Sequence, residues 1–147
     1  MVLAGCGGDD GPSRAAFARE ADAICRPALQ RLRSVRARIG AAAAGADPDA
    51  IFGRTATLLR EGAGISREAL DRVEALEDPE ATRDEIGAWL ASNRRQAALT
   101  DRLARAFEVQ DETGIARLSE TIDELEERNN ATARGLGMRA CAERVAA

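Results

Sequence analysis

A chain of 147 residues is one domain's worth of polypeptide, enough for a modest core and not for two. Aromatic residues make up 3% of it, so the interior has to be built from Leu, Ile, Val and Ala, and every one of its 21 basic residues is Arg. The formal charge of −4 argues against a nucleic-acid partner, which needs a basic surface, and no apolar run reaches the roughly 18 residues of a membrane-spanning helix.

Residues 1–13 read as a segment apart from the domain that follows. Leu3-Ala4-Gly5-Cys6 fits a bacterial lipobox, in which small residues precede a cysteine that is acylated and becomes the mature N-terminus. The stretch "GGDDGPS" behind it has the composition of a flexible tether. A signal peptide supplies a charged start and an apolar run of about 7 to 15 residues, whereas only Met1 and Val2 precede the box. On this reading the start has been placed too late or the chain trimmed; the competing reading is a cytosolic protein with a chance "LAGC".

The domain spans residues 14–147. Phe17, Ala21, Ile24, Ala28, Leu32, Val35 and Ile39 recur at steps of three and four, predicting a first helix capped by Ser13 and ended near Gly40. Pro27 removes an internal hydrogen bond, so a kink is expected there. Asp47-Pro48 is a start signal for a second helix carrying Ile51, Thr55, Leu58, Gly62, Ile65, Ala69, Val73 and Leu76. Its glycines at 53, 62 and 64 weaken it, at about 1 kcal/mol each where exposed, unless they allow close helix approach.

Asp78-Pro79 repeats the device ahead of a third helix through Ile86, Leu90, Asn93, Ala97, Leu103 and Phe107, with Trp89 beside the seam. After "QDETG", Ile115, Leu118, Ile122, Leu125, Asn129, Thr132 and Leu136 form a heptad seam that stops at Gly135-Leu136-Gly137. No segment alternates with period two. Four helices and short loops predict an all-α fold, an antiparallel up-down-up-down four-helix bundle with a kinked first helix and a C-terminal tail. The first helix is rich in Arg and the fourth in acids, which suggests two flanks attracting one another inside the bundle.

Lipidation of Cys6 leaves Cys25 and Cys141 as an even pair. In an up-down-up-down bundle the start of the first helix and the end of the fourth share one end, so a tail turning at Gly135 and Gly137 brings Cys141 to Cys25. Closing a loop of roughly 100 residues is worth about 4 to 5 kcal/mol in the chain-entropy model. The alternative is two separate buried thiols, and a Cα separation beyond about 7 Å would exclude the bridge.

"FAREADAIC" and "GLGMRAC" together resemble a group of poorly characterised actinobacterial secreted proteins and lipoproteins. Their mature domains open with Phe-x-x-x-Ala-Asp-Ala-Ile-Cys and finish with Gly-Leu-x-x-x-Cys. The pattern falls on Phe17, Ala21, Asp22, Ala23, Ile24 and Cys25, then on Gly135 or Gly137, Leu136 and Cys141. The resemblance implies an exported helical domain closed by a terminal disulfide, and it carries no assigned activity.

The chain has no His and no Lys. Nucleophile pairs built on His, Glu-x-x-His metal ligands, Schiff-base lysines and Walker-type phosphate loops are therefore excluded. Asp123, Glu124, Glu126 and Glu127 read as a solvated face rather than a catalytic pair, and no EF-hand spacing is present. Asn129 on the seam reads as a register-fixing polar residue, with Asn93 its partner across the core. Asn130-Ala131-Thr132 matches a glycosylation sequon but is discounted on a helix.

These features point to a non-enzymatic, cofactor-free lipoprotein, held to the membrane by a lipid on Cys6 and acting outside the cytoplasm as a binding or structural module. A protein or a small hydrophobic ligand is its expected partner, with the glycines of the second helix and the Trp89 region as the place to look. The alternative is a cytosolic helical adaptor whose basic first helix docks an acidic partner or nucleic acid.

Overall fold

The computed structural model describes residues 11–44 and 47–145. Cys6 and nearly all of the segment assigned above as a tether lie outside the described residues. Four long helices, α1 (Arg14–Ala43), α2 (Pro48–Glu74), α3 (Arg83–Glu108) and α4 (Glu112–Gly135), form the all-α bundle that the periodicity predicts. Single 3-10 turns occupy Glu80–Thr82 and Ala140–Ala142, and no strand occurs among the described residues.

Local chemistry sets most of the helix ends. Ser13 Oγ accepts from the Ala16 N–H at 3.2 Å to start α1, and the Asp47 carboxylate accepts from the Asp49 N–H to start α2. Asp111 does the same for α4 through the Gly114 N–H at 2.9 Å. That carboxylate lies where a Cβ on Gly114 would be, which explains the glycine. Two helices end in the same tight turn. Met138 N–H reaches Ala133 O and Gly137 N–H reaches Arg134 O at the end of α4, with Gly137 at φ +85°. At the end of α3, Asp111 N–H and Gln110 N–H bond Ala106 O and Phe107 O, with Gln110 holding the left-handed position at φ 55°.

Three boundaries differ from expectation. Gly40 does not stop α1, which runs to Ala43. Asp78-Pro79 does not cap α3: Pro79 opens the 3-10 turn, α3 begins four residues later with no side-chain cap, and Asp78 Oδ1 is buried without a partner. Asp111 in "QDETG" already belongs to the start of α4. Pro27 sits inside α1, which continues as one helix on both sides of it.

Packing follows chain order, α1 on α2, α2 on α3, α3 on α4. The ring is not closed by α1 meeting α4, which touch only marginally; the turn Ala140–Ala142 packs on both instead. At that end one continuous core joins Phe17, Ala21 and Ile24 of α1 to Val73, Ile86, Trp89, Leu136 and Met138. Toward the other end the core splits. Ala28, Val35, Leu58 and Ile65 fill the α1–α2 seam, while Leu99, Leu103, Leu118 and Leu125 fill the α3–α4 seam. Phe52 and Phe107 stack at a tilted 5.9 Å across α2 and α3.

No salt bridge joins basic α1 to acidic α4 among the described residues, and the anticipated attraction is seen only as the pull of Arg36 on Glu126. Arg31 and Arg38 of α1 pair with Glu68 and Glu61 of α2, and Arg33 pairs with Glu143 of the tail. Arg60, Arg67 and Arg94 link α2 and α3 through Glu108, Asp101, Asp71 and Glu74. Hydrogen bonds to Arg31, Arg94 and Arg60 hold the Glu68, Glu74 and Glu108 carboxyls below their usual range. Such exposed pairs are screened by solvent and contribute little to stability, so they select neighbours more than they stabilise.

The tail is clasped instead by two residues one turn apart on α1. Cys25 and Cys141 form the disulfide, with Cα atoms 5.2 Å apart. The buried Asp22 carboxylate accepts from the backbone N–H groups of Ala140 at 2.8 Å, Arg139 at 3.1 Å and Cys141 at 3.3 Å. Arg14 adds a third link by donating to the carbonyls of Gly135 and Leu136 at the end of α4. Hydrogen bonds to a charged acceptor are worth about 1.5–3 kcal/mol each, less the desolvation of the carboxylate. Asp22→Ala is therefore expected to lower unfolding free energy by about 2–3 kcal/mol in urea titration, and Asp22→Asn by less. Gly53→Ala and Gly64→Ala, whose added methyls meet nothing within 4 Å, should each raise it by about 0.5–1 kcal/mol.

Candidate functional site

The split core leaves a partly open groove of about 270 Å³ between the two helix pairs. Its floor at one end is the clasp, with Cys25, Ala140 and Cys141 in its wall. From there it follows α1 as far as Ile39, a rise of about 21 Å. Leu29, Leu32, Val35, Leu58, Ala63 and Leu70 make the α1–α2 side, and Trp89, Asn93, Gln96, Ala97 and Thr100 make the α3 side. α4 contributes only Glu126 and Asn130.

Why the groove exists is visible in the residues. Leu32 and Ile39 continue the α1 stripe but stay half-buried, because no α4 side faces them closely. On α2, Gly62 is the one glycine of its three that is buried and lines the groove; a Cβ there would sit 3.6 Å from Leu32 and 3.8 Å from Val35, an ordinary contact. Gly62 thus leaves room in the wall, while Gly53 and Gly64 face solvent. The α4 stripe also drifts. Thr132, expected on the seam, is exposed and Ala133 is fully buried in its place, as a straight helix drifts against a strict seven-residue repeat.

Trp89, expected beside the seam, is a core residue only 4% exposed. Asn129 is buried, but its partner is not Asn93. Its Nδ2 donates to Gln96 Oε1 at 2.8 Å and its Oδ1 accepts from Ser92 Oγ at 2.5 Å. Asn93 turns back to donate to the Trp89 carbonyl of its own helix at 2.8 Å. The pairing fails by register: Ser92 and Gln96, four apart, share the α3 face toward α4, and Asn93 faces the groove.

Most polar groups on the groove wall are spent internally. Ser66 and Thr100 donate to the carbonyls of Gly62 and Gln96 one turn back. Trp89 Nε1 is left buried without a partner, while the buried Asn130 amide makes no bond of normal geometry but lies close enough to the Glu126 carboxyl to donate to it weakly. Burial pushes the Glu126 carboxyl above the usual range; Arg144 pulls against this, Asp123 adds to it, and Arg36 of α1 and a hydrogen bond from Asn130 pull it down again. None of Glu126, Asn130, Ser92 and Gln96 was legible as a set in the sequence, since the spacing of acids and amides on α4 reads equally as a solvated face.

Among the described residues, no group of three or more His, Cys, Asp or Glu side chains is placed to hold a metal ion, and no helix is long and apolar enough to cross a membrane. Comparison with known proteins finds no matching family model, no matching curated protein and no matching solved structure.

A carboxyl whose folded-state pKa is raised takes up its proton more readily folded than unfolded. Its contribution to stability is therefore largest at low pH and is lost as pH rises through the folded value. Glu126→Gln should raise the melting temperature at pH 7 and lose that advantage at pH 4, as followed by thermal unfolding at both pH values.

Proposed function

We propose that this chain is a lipid-anchored binding module that works outside the cytoplasm and holds a small apolar ligand in the groove between its helix pairs. The observation that carries the reading is the groove itself: an elongated, mainly apolar space that the bundle keeps open along a seam where α1 and α4 would otherwise meet. Well-packed interiors hold few voids larger than a water molecule, and a dry apolar cavity of about 150 Å³ is already enough to take up benzene. The chemistry on the wall supports binding over catalysis, because its two hydroxyls, Ser66 and Thr100, are spent on backbone carbonyls one turn back.

Two features support the location. The Leu3-Ala4-Gly5-Cys6 run supplies the acylation site, with Cys6 as the lipid-bearing residue and the membrane as its partner. The Cys25–Cys141 disulfide favours an oxidising compartment, since cytosolic thiols are kept reduced. The docking of an acidic partner or nucleic acid on α1 draws less support, because Arg31, Arg33 and Arg38 are already paired with acids of α2 and the tail.

Trp89 is the chain's one tryptophan, there is no tyrosine, and it lies in the groove wall, so its emission reads occupancy without a label. The uncharged probe N-phenyl-1-naphthylamine should quench Trp89 saturably at one molecule per chain. Gly62→Leu or Thr100→Leu, each filling the groove from a different helix, should weaken that binding at least tenfold without loss of stability. Quenching that never saturates, or that both variants leave unchanged, would contradict the reading. In cells, Cys6→Ser should move the protein from the membrane fraction to the soluble one.

A further inference from the structure

The groove opens along the seam that α1 and α4 leave unfilled, and the tail beyond the disulfide stands in that opening. Glu143 and Val145 both line the groove. Glu143 pairs with Arg33 of α1 at 2.7 Å, and the next residue, Arg144, is close enough to Glu126 of α4 to pull on its carboxyl. Neighbouring residues of one short segment therefore reach toward α1 on one side and α4 on the other. Val145 follows them, half-buried in the groove wall. Glu143–Val145 thus forms a strap at the groove mouth.

The strap and its root are held in very different ways. At the root, Cys141 is bonded to Cys25, Asp22 accepts from the N–H groups of Arg139, Ala140 and Cys141, and Ala142 is buried in the core. The Glu143 N–H still reaches the Ala140 carbonyl at 3.3 Å, and there the backbone turns extended. Past that point, no hydrogen bond joins the backbone of Arg144 or Val145 to a helix among the described residues. What holds the strap is charge. Both side chains of the Arg33–Glu143 pair are about half exposed, and Arg144 shares Glu126 with Arg36 of α1 and Asn130. Exposed pairs of this kind are weak and screened by salt. Segments with few buried contacts are the ones that open locally while the rest of a fold stays shut.

We infer that Glu143–Val145 is a gate, latched to α1 by Arg33 and to α4 by Arg144, which swings off the groove mouth to let a ligand in or out while the disulfide holds its hinge in place. The latch is closed both before and after binding, so loosening it speeds entry and exit together and leaves affinity as it was. A residue that only touched the ligand would instead change how long the ligand stays. This rests on the groove being a ligand site, as proposed above.

Neither Arg33 nor Arg144 lines the groove, and neither belongs to the clasp or the core, so their substitution reaches the ligand only through the strap. Stopped-flow mixing of the full chain with the uncharged probe N-phenyl-1-naphthylamine, followed by Trp89 emission, reads both rates. Arg33→Gln and Arg144→Gln together should raise the association and dissociation rates alike, roughly twofold or more, and leave Kd unchanged. Added sodium chloride should speed both rates in the parent chain and have little further effect on the double variant. The inference is overturned if the double variant binds and releases the probe at the parent's rates, if only dissociation quickens, or if salt acts equally on both chains. Saturable binding at unchanged rates would sink the gate alone; no saturable binding would sink the groove as a site and the gate with it.

Discussion

The structure depends on how the two ends of the helical domain are tied. A four-helix bundle ordinarily closes by packing its first helix against its fourth. Here a short tail takes that place, gripped by Asp22 and Cys25 on consecutive turns of α1 and turned toward them by Gly137. A covalent bond and three charge-assisted hydrogen bonds in so small a volume do locally what a full helix–helix seam would do along its length. With closure concentrated at one end, the rest of the α1–α4 seam need not fill, and the core divides into two stripes with a groove between them.

The same economy accounts for the weak hydrophobic inventory. With few aromatic side chains, the core has limited material, and its largest continuous piece is gathered at the clasped end, where Phe17, Trp89, Leu136 and Met138 lie together. Ion pairs then decide which helices are neighbours. Each of the α1 ion pairs among the described residues goes to α2 or to the tail, so that the attraction of Arg36 for Glu126 is what remains to draw α1 and α4 together across the groove.

Much of the architecture was legible in the sequence because its determinants are local. Stripe periodicity locates all four helices; Ser13 and Asp47 cap as their types suggest; cysteine parity and helix count together pair Cys25 with Cys141. The failures were tertiary in origin. Asp78 looks like Asp47, yet Pro79 is buried and the chain makes an extra 3-10 turn before α3, so the cap is lost. Asp22 stands out in the sequence only as a member of the "FAREADAIC" pattern, and its role appears once the tail's backbone N–H groups are brought to it from more than a hundred residues away. Asn129 was recognisable as a buried seam amide, but choosing Ser92 and Gln96 over Asn93 needs the relative rotation of α3 and α4, which no single helix encodes.

The central claim is that the tail clasp, and not direct α1–α4 packing, holds the bundle together. Hydrogen exchange of the oxidised and the fully reduced chain, read amide by amide together with the global unfolding free energy, tests it most directly. The account predicts that reduction lowers global stability by about 2–5 kcal/mol and that the amides of Arg139, Ala140 and Cys141 lose protection before those of α3 and α4. A reduced chain that keeps its stability and still protects those three amides would contradict it.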